Sequence, residues 1–304
     1  MHLKYAVEIA QTGSLNKAAE NLYMGQPNLS RAIKELESSL GITIFDRSAK
    51  GMLVTPEGEE FLGYAKKILN QIDEVETLYK GGLRKKQKFS ISVPRAGYIA
   101  EAFAKFSKHV EKDRPAELFY QETNAMRAIK NILESDYKLG IIRYAANYDK
   151  YFKSMLEEKG LTYEMITEFQ FVLIMSKDHV LANKEDIRYS DLRPYTEIAH
   201  ADPFVPSLPF STVRKEELPD DIENRIFVFE RASQFELLSE NNETFMWVSP
   251  VPFRLLDRYG LVQKRCRDNE RVYKDVLVYR RDYHLTDLDN LFITELCKSK
   301  RQYL

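Results

Sequence analysis

The residue types best suited to specific chemistry lie in one short segment, residues 26–37. Leu29, Ile33 and Leu36 recur there at steps of four and three, which is the spacing of one buried helix face. Amides, hydroxyls and basic groups share the opposite face, and such groups bind base edges and phosphates in DNA. The segment therefore predicts a helix that contacts DNA. The candidate contact residues are Gln26, Pro27, Asn28, Ser30, Arg31 and Lys34.

A second short helix is predicted immediately before this one. Ser14 can cap its start, and Ala18 and Ala19 are small enough to let another helix cross closely. Two such helices joined by a tight turn form a helix-turn-helix. Spacing alone leaves protein association open as an alternative, because polar helix faces are often only solvated. Residues 1–55 carry six basic and five acidic side chains, so DNA binding would depend on where the bases lie rather than on bulk charge.

Four motifs follow one another over about the first sixty residues. They are G-S-x-x-x-A-A-x-x-L from Gly13, Q-P-x-L-S-x-x-I-x-x-L-E from Gln26, L-G-I-T-I-F-D-R from Leu40 and T-P-E-G from Thr55. In this order they resemble the DNA-binding head of LysR-type transcriptional regulators. The resemblance implies a two-stranded wing over residues 45–55, with Lys50 and Gly51 at its tip and with Arg47 and Lys50 on phosphates.

Asn28 departs from the family pattern, which usually has Ala, Ser or Thr at this place. Its amide could read adenine through two hydrogen bonds, or it could cap the start of the helix. We expect the DNA role, and we keep capping as the alternative.

The segment after the wing predicts one long helix. Thr55 is a good N-cap and Pro56 suits the first helical position. Apolar residues then recur at steps of four and three, at Phe61, Ala65, Ile68, Ile72, Val75 and Tyr79. This heptad pattern suits a helix that pairs with its twin in a homodimer, which is the role of the linker helix in the resembled family. The alternative is a stripe that packs only on its own head domain.

The remaining two-thirds of the chain alternates short apolar runs with helical patterns. Predicted strands cover residues 89–93, 116–120, 139–142, 168–175, 196–199, 225–229, 245–248 and 272–279. Predicted helices cover residues 99–110, 125–134, 232–240 and 287–298. This alternation indicates helices packed on sheets in two successive lobes, with a closing helix that returns to the first.

The resemblance implies an α/β multidomain fold: an N-terminal winged helix-turn-helix, a long linker helix, and a two-lobed α/β effector-binding domain similar to periplasmic solute-binding proteins. We expect the winged head at 1–58, the linker helix and hinge at 59–87, and the effector domain at 88–304. Lobe I would cover about 88–163 and 267–304, and lobe II about 164–266.

Small molecules bind open α/β sheets beyond the carboxyl ends of the strands. The loops predicted there contain Arg95, Ala96, Thr123, Asn124, Arg143, His200 and Ser249, which are the candidate effector-binding residues. Two arginines facing such a cleft would favour a small carboxylate, because guanidinium pairs with carboxylate in a bidentate fork. The alternative is that Arg95 and Arg143 are neutralised by nearby acids such as Glu122 or Asp202.

The sequence offers little for catalysis or cofactor binding. The five histidines are scattered without metal-ligand spacing, so we expect no metal and no cofactor. No nucleophile elbow, phosphate loop or dinucleotide fingerprint is present, which argues against an enzyme. Cys266 and Cys297 have no redox spacing. With no apolar run near the roughly 20 residues of a membrane span and no signal segment, we expect no membrane association and a cytoplasmic location.

These features together predict a LysR-type regulator that binds double-stranded DNA, self-associates as a dimer or dimer of dimers and senses a small, possibly anionic, effector. RNA polymerase is a further partner that the resemblance implies. The alternative is a small-molecule binding protein whose N-terminal helices mediate protein association.

Overall fold

The structure is a computed structural model and describes residues 2–48, 51–79, 86–201 and 222–304. Two compact units divide the chain, Met1–Lys85 and Lys86–Leu304. No helix within the described ranges is long and apolar enough to cross a membrane.

The first unit is a winged helix-turn-helix followed by a long helix. Its elements are α1 (His2–Thr12), α2 (Leu15–Asn21), α3 (Gln26–Leu40), β1 (Phe45–Ser48), β2 (Gly51–Val54) and α4 (Pro56–Tyr79). Ser14 caps α2 as predicted, because its side chain accepts a hydrogen bond from the Lys17 amide. Strands β1 and β2 form the predicted antiparallel wing, with Phe45 opposite Val54. Lys50, the predicted wing tip, lies outside the described residues.

Helices α1 to α4 and the wing share one apolar core. Ala18, Leu29 and Ile44 are completely buried, and the small side chain of Ala18 lets α2 and α3 approach closely. The wing requires a glycine at position 51. A Cβ there would lie 2.6 Å from the Gly13 carbonyl oxygen, and its φ of +116° is rarely adopted by other residues. The core therefore sets the angle between α2 and α3.

The apolar stripe of α4 divides into two parts. Leu62 and Ala65 are buried and Phe61 is partly buried in the head core, as the alternative interpretation required. Farther along, Ile68, Ile72 and Val75 are 42%, 47% and 52% exposed. The first part of the stripe therefore packs on the head domain, and pairing of the exposed second part with a twin helix stays a prediction. The side chain of Tyr79 and most of the predicted hinge lie outside the description.

The second unit contains two five-stranded sheets. Lobe I is built on the strand order β4-β3-β5-β12-β6 and lobe II on β11-β7-β10-β8-β9. The lobe I strands are β3 (Gln87–Val93), β4 (Ala116–Glu122), β5 (Leu139–Ala145), β6 (Leu161–Gln170) and β12 (Val272–Arg280). The lobe II strands are β7 (Val172–Ser176), β8 (Thr196–His200), β9 (Arg225–Val228), β10 (Thr244–Val248) and β11 (Leu261–Lys264).

Helices cover these sheets. They are α5 (Gly97–Phe106), α6 (Ala125–Glu134), α7 (Asp149–Glu158), α8 (Tyr189–Leu192), α9 (Arg231–Glu240), α10 (Phe253–Tyr259) and α11 (Asp287–Tyr303). Helix α11 returns to lobe I as predicted, where Phe292 packs with Phe89 and Phe106 in the core. Sequence reasoning missed α7, α8, α10 and β11.

One predicted strand was wrong in its extent. Residues 168–175 were expected to form a single strand, but β6 ends at Gln170 and β7 begins at Val172 in the other sheet. The chain thus passes between the lobes at Phe171, and it returns through residues 265–271. The Asn269 side-chain amide donates a hydrogen bond to the Phe171 carbonyl at 2.9 Å, which ties the two passages together.

We predict that Gly58→Ala destabilises the first unit. A Cβ at Gly58 would lie 2.3 Å from the Ile44 carbonyl oxygen, so either the start of α4 or the wing must shift. We expect the free energy of unfolding to fall by about 1–3 kcal/mol, measured by hydrogen exchange of the first unit in increasing urea.

Gly63→Ala is the matched control on the same helix. No heavy atom lies within 4 Å of a Cβ there, so alanine should stabilise the helix by up to about 1 kcal/mol. Equal effects of the two substitutions would contradict the close contact at Gly58.

Candidate nucleic-acid interface and interlobe site

Helix α3 presents one buried and one exposed face. Leu29 and Ile33 lie in the head core, while Asn28, Arg31 and Lys34 are exposed at steps of three along the helix. Residues three apart are neighbours on a helix surface, so these three side chains form one stripe, which we call the recognition face. Pro27 is also exposed, and Gln26 and Ser30 are half-buried beside it.

The start of α3 carries no side-chain cap. Gly25 is the N-cap residue, and no side chain accepts a hydrogen bond from the first turn. The capping alternative for Asn28 therefore has no support in this structure, and the exposed amide stands in the first turn of the helix. Backbone N–H groups at such an end also suit a phosphate.

One acidic residue near the recognition face, Glu37, is engaged elsewhere. Glu37 accepts hydrogen bonds from the backbone amides of Ile44 and Phe45, at 2.7 and 3.1 Å, and so holds the wing beside α3. Arg47 pairs with Met52 through the wing ladder, but its side chain is not described. The arrangement offers a duplex one basic helix face and an adjacent hairpin.

In lobe I, two predicted loops meet at the carboxyl ends of neighbouring parallel strands. The Thr123 amide donates to the Val93 carbonyl at 2.8 Å, which joins the ends of β4 and β3. Ala96 is the N-cap of α5, is 1% exposed and supplies no side-chain cap. Asn124 caps α6 by accepting a hydrogen bond from the Arg127 amide. The structure therefore brings Arg95, Ala96, Thr123 and Asn124 to one sheet edge.

Two buried polar atoms, one in each lobe, have no hydrogen-bond partner in the described part of the chain. They are the Thr123 hydroxyl and the Gln234 side-chain oxygen. Thr123 is 4% exposed and Gln234 is 3% exposed. A buried polar group without a partner is costly, so each atom calls for a hydrogen-bonding ligand or water. Ser249, after β10, is also buried, and His200 ends β8.

Arg143 is held by a partner that sequence reasoning did not name. Its Nε and Nη2 donate to Asp275 Oδ1 and Oδ2, both at 2.7 Å, and its guanidinium lies over the Phe169 ring. The Tyr98 hydroxyl also donates to Asp275 Oδ2, at 2.5 Å. Burial, followed by the charge of Asp275, raises the pKa of the Tyr98 hydroxyl well above its usual value.

This arrangement alters the prediction made for Arg143. Both oxygens of a buried carboxylate already satisfy its fork, so its neutralisation by an acid is observed, although the acid is Asp275 rather than Glu122 or Asp202. Asp202 lies outside the described residues. A sequence signal was present, since an acidic residue interrupts the apolar alternation of residues 272–279.

A different ion pair links the two lobes. Arg231 Nη1 of α9 lies 3.4 Å from Glu122 Oε1 at the end of β4. Burial raises the pKa of Glu122, while the charges of Arg231 and Arg95 oppose that shift. Sequence reasoning missed Arg231 as a site residue. Its position was a usable signal, because a cation on the first residue of a helix opposes the helix dipole.

The described residues contain no group of three or more His, Cys, Asp or Glu placed to hold a metal ion. Cys266 and Cys297 are free thiols, and burial raises the pKa of Cys266.

Comparison with known proteins agrees with these features. Residues 1–59 match the family described as bacterial regulatory helix-turn-helix protein, lysR family. The regulator AlsR of Bacillus subtilis is 24% identical over 307 residues, which covers 99% of this chain and 96% of AlsR. The regulator BenM of Acinetobacter baylyi is 40% identical over 79 residues, covering 26% of each chain.

Solved structures share the fold over nearly the full length. Full-length CbnR in complex with its target DNA has a TM-score of 0.60 at 15% identity, covering 98% of both chains. A full-length OxyR variant from Pseudomonas aeruginosa has a TM-score of 0.59 at 17% identity, covering 99% of this chain and 94% of its own. Residues 1–59 therefore carry the helix-turn-helix head of the lysR family, and the chain as a whole shares its fold with full-length CbnR and OxyR.

Proposed function

We propose that this regulator binds duplex DNA through the recognition face of α3 and responds to a small carboxylate held between the lobes of its second unit. The observation that carries the DNA assignment is the exposed stripe of Asn28, Arg31 and Lys34 on a helix whose other face is fixed in the core. Phosphate contacts from the basic residues would position the helix, and the Asn28 amide would read a base edge.

We further propose that the protein acts as a homodimer or a dimer of dimers. The exposed Ile68, Ile72 and Val75 on α4 support pairing with a second copy, since their burial would remove apolar surface from water. Two recognition helices would then enter successive major grooves of a pseudo-palindrome, with half-sites one helical turn or a multiple of it apart. RNA polymerase is the partner through which such a DNA-bound regulator would act.

The proposed effector site lies beside Thr123 and Gln234. The contact between Glu122 and Arg231 brings their neighbours together, because Thr123 follows Glu122 and Gln234 lies one helical turn after Arg231. The Gln234 oxygen can only accept, so the ligand must donate a hydrogen bond to it. Arg231 and Arg95 favour an anion. We therefore propose a small carboxylate that also carries a hydroxyl or amino group.

This function is tested by footprinting the full-length protein on the DNA upstream of its own coding sequence, with and without a panel of small hydroxy- and amino-carboxylates. We expect protection of a pseudo-palindrome whose length or bend changes with one compound. Protection that ignores every compound would reject the effector assignment. An absence of protection at low salt would instead favour an N-terminal module for protein association.

We predict that Arg31→Ala and Lys34→Ala each weaken DNA binding and reduce the log–log slope of affinity against salt concentration by about one for each lost phosphate contact. Asn28→Ala should instead relax sequence preference by about 1–3 kcal/mol at one base pair. Salt titrations of binding to the footprinted site and to mixed DNA measure both effects.

Lys4→Ala is the matched control, because it removes the same charge from an exposed position on α1. It should leave the salt slope unchanged. Wild-type affinity and slope in all three recognition-face variants would refute the assignment of this face.

We predict that Thr123→Val leaves stability unchanged within about 0.5 kcal/mol, or slightly raises it, because the lost hydroxyl has no partner within the described residues. The same substitution should weaken binding of the active carboxylate by about tenfold or more, measured by isothermal titration.

Thr244→Val provides the contrast. The Thr244 hydroxyl donates to the Asn241 carbonyl at 2.8 Å, so its loss should lower the free energy of unfolding by about 1 kcal/mol without changing ligand affinity. Unaltered ligand binding in Thr123→Val would remove Thr123 from the site.

A further inference from the structure

One ion pair joins side chains of the two lobes at the proposed effector site. Glu122 Oε1 and Arg231 Nη1 are 3.4 Å apart, and the two side chains are 20% and 16% exposed. Glu122 belongs to lobe I and Arg231 to lobe II. Partial burial strengthens such a pair relative to one at the surface, since water screens it less.

Both partners are held in place within their own lobes. The Arg231 guanidinium lies over the Phe235 ring, with its carbon 5.3 Å from the ring centre. Glu122 accepts a hydrogen bond from the Tyr120 hydroxyl at 3.3 Å, and Tyr120 stacks on Phe103. The contact therefore joins two side chains whose positions are fixed by neighbours in their own lobes.

Apolar contacts join the lobes elsewhere, and they are less specific for one arrangement. Pro252 presses against Gly97, where a Cβ would lie only 2.6 Å from the proline ring. Phe253 meets the ring of Tyr303 edge-on, with centroids 6.4 Å apart. Such contacts tolerate small shifts, whereas separating the carboxylate from the guanidinium leaves two partly buried charges apart.

We propose that the Glu122–Arg231 pair is an interlobe latch and that a carboxylate effector opens it by replacing Glu122 at Arg231. This inference rests on the proposed function. The exchange conserves charge, because one carboxylate leaves the guanidinium as another arrives, while the direct link between the lobes is lost. Glu122 thus competes with the effector. The apparent effector affinity is the intrinsic affinity multiplied by the fraction of molecules in which the latch is open.

The latch also supplies the differential binding that a ligand-driven switch requires. An effector that binds Arg231 only when Glu122 is displaced has different affinities for the latched and unlatched states, and it shifts their populations accordingly. The Thr123 and Gln234 oxygens, which lack a partner among the described residues, would add hydrogen bonds to the effector, one from each lobe.

The first test measures backbone hydrogen exchange in the full-length protein without effector. Glu122→Gln keeps the shape of the side chain and removes its charge, so exchange across residues 231–238 should rise by about threefold or more. Glu134→Gln is the control, because it removes the same charge from an exposed i,i+4 pair with Lys130 within lobe I. It should leave exchange at residues 231–238 at the wild-type rate.

The second test uses acetate as the probe for a free carboxylate. Glu122→Ala should also raise exchange at residues 231–238. In the wild-type protein, 50 mM sodium acetate should raise exchange there as well, because it replaces Glu122 at Arg231, while 50 mM sodium chloride should not. In the double variant Glu122→Ala/Arg231→Gln, acetate should have no effect. A charge-swapped variant, Glu122→Arg/Arg231→Glu, should restore exchange close to the wild-type rate if both single changes act through the pair.

Wild-type exchange in Glu122→Gln and Glu122→Ala would overturn the latch, as would equal responses to acetate and chloride. DNA binding is measured on the same preparations. Intact DNA binding with unaltered exchange rejects the latch alone, whereas a wild-type protein that binds no DNA rejects the proposed function whatever the exchange data show.

Discussion

Strand β12 lies between β5 and β6 in lobe I, and a buried ion pair fixes its position. Arg143 and Asp275 are directly opposite each other across the β5–β12 ladder and join through two hydrogen bonds of 2.7 Å. Removing one partner of such a pair typically costs about 3–5 kcal/mol, because the other charge stays buried. Since Tyr98 also donates to Asp275, the same carboxylate holds α5 against the sheet.

The two passages between the lobes depend on this arrangement. Lobe I is complete only when the chain has built lobe II and returned, so the end of β6 and the start of β12 lie next to each other at the lobe boundary. At that boundary Phe171 stacks on Tyr273 with ring centres 4.1 Å apart, and the guanidinium of Arg143 lies over Phe169. The connection between the lobes is thus anchored at the β6 edge of the lobe I sheet. The Glu122–Arg231 pair involves the other edge strand, β4.

In the first unit, too, buried contacts fix the position of the residues proposed to function. The proposed role of α3 in reading DNA requires a fixed helix orientation, and Leu29, Ile33 and Leu36 provide it in the core. Glu37 accepts hydrogen bonds from the amides at the start of the wing. This acidic residue next to the basic face therefore holds the wing beside α3. The recognition face therefore has a net positive charge although the surrounding segment is nearly neutral.

Local patterns in the sequence were sufficient for the helix-turn-helix, the wing, the start of α4 and most strands, because these features depend on residues close together in the chain. The loops at Arg95, Ala96, Thr123 and Asn124 followed from one general rule about the ends of parallel strands. Such local patterns could not identify ion-pair partners that are distant in sequence. Asp275 is 132 residues from Arg143, and Arg231 is 109 residues from Glu122, so only the folded chain decides which charges are satisfied.

The break at Phe171 and the divided stripe of α4 have the same cause. An apolar run looks alike whether it stays in one sheet or crosses to the next, and Ala65 and Ile68 look alike whether they meet the head core or solvent. The sequence by itself determined the lysR-type head, the type of most elements and the polar face of α3 that we propose as the DNA contact. Tertiary structure alone decided which arginines are paired and which buried polar atoms lack a partner among the described residues, because burial and long-range contact exist only once the sheets assemble.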